Sequence, residues 1–166
     1  MSIDFFKTLL LFVVFSLAQV LVLNHIHLFG FATPLLYVYF VLMFQRNYPQ
    51  WAILLWSFAM GLLIDTFSNT PGVTAASLTL AGCLQPYLLA PFIPRDSAAD
   101  LKPMARTLGV AQFLYYSFIM VLIYNVVFFS LEMFSFSNWL YWLECIGGST
   151  LLTLVLIMVL ETIRRK

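Results

Sequence analysis

Long apolar runs separated by short polar punctuation make up almost the whole chain. The runs fall near residues 5–23, 29–45, 49–65, 73–92, 107–131 and 139–163. Between them lie Asn24-His25, Gln45-Arg46-Asn47, and the stretches 65–72, 94–103 and 132–138. A helix that crosses a bilayer needs about 20 apolar residues at ~1.5 Å each. The pattern therefore predicts one all-α membrane domain over residues 1–166, a bundle of six transmembrane helices. The second run is short and carries Pro34 near its start. Pro49 suits the first turn of the third helix, where its missing N–H costs nothing.

Composition agrees with the pattern: 63% of residues are hydrophobic and only 9% are charged, against roughly 45–50% and about 25% in soluble domains. Little chain is left for an extramembrane domain. No basic patch for nucleic acid exists beyond Arg164-Arg165-Lys166, which suit cytoplasmic headgroups. With six crossings and a cytoplasmic N-terminus, all 8 Lys and Arg residues fall on the inner side, at Lys7, Arg46, the Arg95/Lys102/Arg106 group and the C-terminus. If residues 29–45 failed to cross, that distribution would break. The expected topology is thus N-in and C-in. Lys7 precedes an apolar block as in a signal peptide, but residues 16–20 make a poor cleavage site, so a retained first helix is expected.

Cys83 and Cys145 both lie in apolar runs and read as small buried side chains rather than a disulfide. Trp51, Trp56, Trp139 and Trp142, with Tyr48 and Tyr141, read as an interfacial belt. Gln19, Gln112 and Asn125 read as interhelical hydrogen bonders, and Gly147-Gly148-Ser149-Thr150 as a close-packing face. His25 and His27 fall short of a zinc site. No G-x-S-x-G, H-E-x-x-H, P-loop or catalytic pair of acids occurs. Neither enzymatic activity nor a cofactor is expected.

The most informative polar residue is Asp65, at the end of the third run. It stands sixteen residues after Pro49, about 24 Å along a helix, close to the outer edge of the hydrocarbon. Ser57, Gly61 and Asp65 share one helix face, and Ala75, Thr79, Gly82 and Cys83 give the next helix a narrow face. Close backbone approach through small residues is a leading source of helix association in lipid. The third and fourth helices are therefore expected to form a tight hairpin. Three roles for Asp65 remain open. It can organise the following loop by accepting N–H bonds from residues 66–69, contact a partner protein, or serve an ion or proton path. Glu144, also in the outer leaflet, is expected to bond Thr66, Ser68 or Asn125.

These residues together resemble the MreD family of bacterial rod shape-determining membrane proteins. The similarity rests on Phe29-Gly30-Phe31-Ala32-Thr33-Pro34 leading the second run, then Gly61-Leu62-Leu63-Ile64-Asp65, and then Gly72-Val73-Thr74-Ala75. The family pattern is G-L-x-x-D, a few polar residues, then Gly and an Ala three further on. Length and span layout match over the whole chain, while Asn69-Thr70-Pro71 is a variant of its own. The resemblance implies a non-enzymatic scaffold in the inner membrane, part of the elongation complex that directs lateral peptidoglycan synthesis and cell shape. It implies binding to an MreC-like single-span protein, and action alongside an MreB-like filament and the peptidoglycan polymerase and transpeptidase. The candidate structural or partner-binding residues of this stretch are Gly61, Asp65, Thr66, Ser68, Pro71, Gly72 and Ala75, and the residues themselves suggest Glu144 and Asn125 as intramembrane polar partners. The 94–106 loop offers the largest cytoplasmic surface.

Two rival functions remain. MreD-like proteins resemble in architecture the substrate-binding subunits of energy-coupling-factor vitamin transporters, which dock through Ala-x-x-x-Ala on the first helix. Here that helix has Ala18 alone, amid bulky residues, and no clear polar cluster for a vitamin. A proton-coupled transporter would rest on Asp65 and Glu144.

Overall fold

The computed structural model describes residues 2–27 and 30–166; Phe29 of the family-like lead-in lies outside them. Five helical stretches are long and apolar enough to cross a membrane, the architecture of a multi-pass membrane protein. They are α1 (Ser2–Leu21, continued by a 3-10 turn), α3 (Gln50–Ser68), α4 (Val73–Leu89), α6 (Val110–Met133) and α7 (Trp139–Arg165). Two short helices complete the set among the described residues: α2 (Val38–Leu42) and α5 (Ala105–Leu108). Pro49 precedes α3 rather than opening it: its ψ of 128° is extended, and its carbonyl accepts the N–H groups of Ala52 and Ile53.

The expected helix over 29–45 is absent. Residues 33–35 are non-helical, and only Val38–Leu42 coil into a helix of 5 residues. Gly30 sits at φ +79°. Pro34 removes a donor and disfavours the α region for Thr33. The segment nonetheless runs alongside the C-terminal part of α7 and along α1. Along α7 it meets Ser149 at Thr33, Thr153 at Leu35, Glu161 at Tyr39 and Arg164 at Met43. Those contacts extend over about 22 Å of helix. Along α1 it runs the opposite way, from Gln19 beside Pro34 to Phe15 beside Tyr39 and Phe12 beside Phe40.

Such a path is tolerable in hydrocarbon only when protein surrounds it. Val38, Val41 and Leu42 are fully buried, as are most of their neighbours. The backbone groups that a helix would have paired are satisfied by side chains. Gln19 donates to the Pro34 carbonyl (2.9 Å) and accepts the Leu36 N–H (3.2 Å). Ser149 accepts the Thr33 N–H (3.2 Å), and Thr153 accepts that of Leu35 (3.1 Å). Gln19 thus serves this backbone rather than another helix. Gly148 has the same client, since a Cβ there would meet Phe31 at 2.9 Å and Ala32 at 3.1 Å.

Below the segment, Arg46 donates its N–H to Leu101 O (3.1 Å) and a guanidinium N–H to Ser97 Oγ (3.1 Å). The chain therefore returns to the end where Lys7, Lys102 and Arg164 also gather. We refer to this as the basic end. Its 94–106 connection is pinned by Glu161 of α7, which accepts the Ala105 N–H (2.8 Å) and the Tyr39 hydroxyl (2.5 Å).

The side chains depart from the expected pattern in three places. Trp51 and Trp139 are exposed, but Trp56 is half-buried and packs on Phe5, Phe12 and Phe40. Cys145 is buried, whereas Cys83 is exposed, because it falls beside the face that Gly82 presses on α3 rather than within it. Gln112 is also exposed, near the start of α6.

Candidate functional site

The α3–α4 hairpin closes around Asp65, which is only 5% exposed. α3 continues to Ser68, one turn past the predicted end, so the N–H groups of residues 66–68 point back along their own helix. The carboxylate cannot reach them as expected. It reaches instead the orphan N–H groups that open α4. Oδ1 accepts the Thr74 N–H (2.9 Å) and the Thr70 hydroxyl (2.8 Å), and Oδ2 accepts the Ala75 N–H (2.9 Å). The first N–H groups of any helix lack internal partners and carry partial positive charge. The residue in the N-cap position is Gly72, which has no side chain to offer. Asp65 provides the cap from the preceding helix.

Each neighbouring motif residue makes that reach possible. Asn69 adopts the left-handed conformation (φ 57°), and its N–H, with that of Thr70, returns to the Asp65 carbonyl to end α3. The Thr70–Pro71–Gly72–Val73 turn follows. Gly72 stands at φ 81°, ψ −7°, the third position of a type II turn, which requires glycine or asparagine there. Pro71 is the favoured second residue. A Cβ on Gly61 would collide with the Ala75 Cα and lie 2.7 Å from its nitrogen. Glycine there lets α4 approach until Ala75 N–H meets the carboxylate one turn further along. Deeper in the hairpin, a Cβ on Gly82 would lie 2.6 Å from Ser57 Oγ. The tight hairpin expected from the small residues is present.

The other expected site residues disperse. Thr66 is exposed and bonds back to the Leu62 carbonyl (2.8 Å). Ser68 accepts a hydrogen bond from Asn24 (2.6 Å), tying the end of α3 to the turn after α1. Asn125 donates to Thr150 Oγ1 (2.8 Å) inside the α6–α7 interface. Glu144 meets none of Thr66, Ser68 and Asn125: it is exposed, in a shallow hollow with Asn138, Trp139 and Tyr141. At its place on α7 the side chain points out of the bundle, while its neighbour Cys145 points in.

Above the clasp lies a feature that the sequence hides. A cavity of about 620 Å³ opens at the end opposite the basic one. Thr70 and Thr74 of the clasp line its base, with His27, Thr33, Tyr37 and Glu132 among its other polar walls. His27 Nδ1 lies 3.3 Å from Thr33 Oγ1, and Glu132 lines the same cavity. Below, Tyr37 and Tyr124 close the interior with a short hydroxyl–hydroxyl bond. Glu161 is the second carboxylate that sequence reasoning passed over. It lies on α7 three residues before the Arg164-Arg165-Lys166 cluster.

Comparison with protein-family models, with curated proteins and with solved structures found no match for the chain.

Proposed function

We propose that this protein is a non-enzymatic scaffold of a bacterial inner membrane. In this reading it belongs to the complex that directs lateral peptidoglycan synthesis and cell shape. It binds an MreC-like single-span protein and acts with an MreB-like filament and the wall polymerase and transpeptidase. The supporting observation is the division of labour within the motif that carries the resemblance. Gly61, Asp65, Gly72 and Ala75 all serve one hairpin joint, and both Asp65 oxygens are engaged by it. A motif that specifies a rigid joint fits a scaffold better than it fits a catalyst. The basic end then faces the cytoplasm, with both chain termini inside and the 31–44 segment, helical only at Val38–Leu42, as the sixth pass.

Co-expression with the MreC-like protein of the same cell tests this reading. The expected result is a complex that survives purification and a loss of rod shape on depletion of this chain. Absence of both would overturn it.

A second reading is favoured by the cavity of about 620 Å³, which is large enough for a small organic ligand. It would make the chain a capture subunit like those of vitamin transporters. Retention of a stoichiometric small molecule by the purified protein, released on denaturation, would favour it. Proton-coupled transport has less support, because Asp65 is committed to the hairpin and Glu144 stands outside the bundle.

A further inference from the structure

At the basic end, a groove of about 280 Å³ opens between the start of α1, the turn after α2, the connection into α5 and the end of α7. Three cations from three separate elements reach it: Lys7, Lys102 and Arg164, against the single carboxylate of Asp4. Among the described residues none of the three is held in an ion pair. Arg164 donates from Nη1 to Met43 Sδ at 3.7 Å, a weak acceptor, and lies beside the Tyr39 hydroxyl. Glu161, the buried acid nearby, is already occupied by Tyr39 and Ala105. Three positive groups thus converge on one groove whose lining offers a single carboxylate, that of Asp4.

The rest of the groove is apolar, floored by residues such as Phe40 and Phe44. It does not stop at the cations. Lys7 and Leu10 also line an adjoining depression on the outer face of α1, where Phe6, Leu9 and Val13 are exposed. A charged mouth at the helix ends therefore leads into an apolar track along a helix long enough to cross the bilayer. That sequence of surfaces matches an amphiphile with an anionic head and a long hydrocarbon chain. Basic pockets between membrane helices bind anionic headgroups in this way, and guanidinium and ammonium groups together suit a phosphodiester.

We propose that this groove binds one anionic phospholipid. Its phosphate is held by Lys7, Lys102 and Arg164, and an acyl chain lies along Leu10 and the outer face of α1. The lipid would join the first and last helices at a place where α1 is otherwise mostly exposed. The inference does not depend on the scaffold reading, only on the bundle standing in a bilayer.

The test uses the full chain purified in mild detergent and native mass spectrometry with added phosphatidylglycerol or phosphatidylethanolamine. The expected result is one retained phosphatidylglycerol, preferred by roughly tenfold or more over phosphatidylethanolamine. The triple variant Lys7→Gln/Lys102→Gln/Arg164→Gln should lose that preference. The double variant Arg95→Gln/Arg106→Gln, at the same end but outside the groove, should keep it. Leu10→Gln, which leaves every cation in place, should weaken lipid retention in the same direction as the triple variant. Inorganic phosphate should not compete at millimolar concentration. Equal loss in the double variant would mean diffuse surface charge and overturn the proposal. Undiminished retention in the triple variant, or displacement of the lipid by phosphate alone, would do the same.

Discussion

The α3–α4 joint and the 31–44 segment face the same difficulty with different means. Both put backbone groups that no helix pairs inside an apolar bundle, where each unsatisfied group costs several kcal/mol. The joint answers with one acidic side chain, Asp65, which takes two N–H groups and a hydroxyl at once. The segment answers with neutral groups, Gln19, Ser149 and Thr153, each taking one or two. A charge-assisted cap is the stronger device, but it places every bond on one residue. The distributed arrangement is weaker at each point and tolerates the loss of any one. The joint should therefore break at a single position, whereas the segment should loosen by steps.

The largest effect is expected from Asp65→Ala, which leaves the Thr74 and Ala75 N–H groups buried without an acceptor. A loss of about 3 kcal/mol follows from ~1–3 kcal/mol per unsatisfied buried group. Thermal unfolding in detergent should report it, with Asp65→Asn falling between that variant and the wild type because one carbonyl acceptor remains. An equal loss in both variants would mean that the charge, not the hydrogen bonds, holds the joint. Next comes Gly61→Ala, where a Cβ must displace the backbone of α4 at Ala75. Overpacking of this kind costs about 1–3 kcal/mol. Ala75→Gly, in the same background, should fail to restore stability, since the obstruction is backbone rather than side chain.

In the segment, Gln19→Leu removes the amide that donates to Pro34 and Asn24 and accepts from Leu36, and should cost about 1–2 kcal/mol. Thr153→Val removes only the acceptor for Leu35 and should cost about 0.6–1 kcal/mol, the range of single polar contacts between membrane helices. If either loss equalled that of Asp65→Ala, the contrast between concentrated and distributed capping would fail. Glu144→Ala, on the exposed face of α7, should leave the unfolding midpoint unchanged.

The same contrast governs what could be read in advance. The joint is local: Asp65 meets partners nine and ten residues away, and every residue that shapes it falls within 61–75. Its small residues, type II turn and stray carboxylate are therefore visible as a pattern. The donors were placed on residues 66–69 rather than on Thr74 and Ala75 because Asp65 looks like a helix terminus, while α3 ends at Ser68. The segment is non-local: Thr33 and Leu35 find acceptors 116 and 118 residues away. Its run of apolar residues reads as a spanning helix, since a chain buried on every side is apolar on every face whatever its conformation. Pro34 and the shortness of the run were the local signs against it. The cavity stayed hidden for the same reason, because His27 and Glu132 come to line one cavity only through the tertiary fold.

Amide hydrogen exchange at Thr74 and Ala75, followed residue by residue in the wild type and in Asp65→Ala, addresses the capping of α4 by Asp65 most directly. The first amides of an uncapped helix exchange readily, so protection there has to come from the carboxylate. Both amides should be strongly protected in the wild type. In the variant they should exchange at least about tenfold faster, while amides in the middle of α4 keep their rates. Unchanged protection at Thr74 and Ala75 in Asp65→Ala would contradict the account.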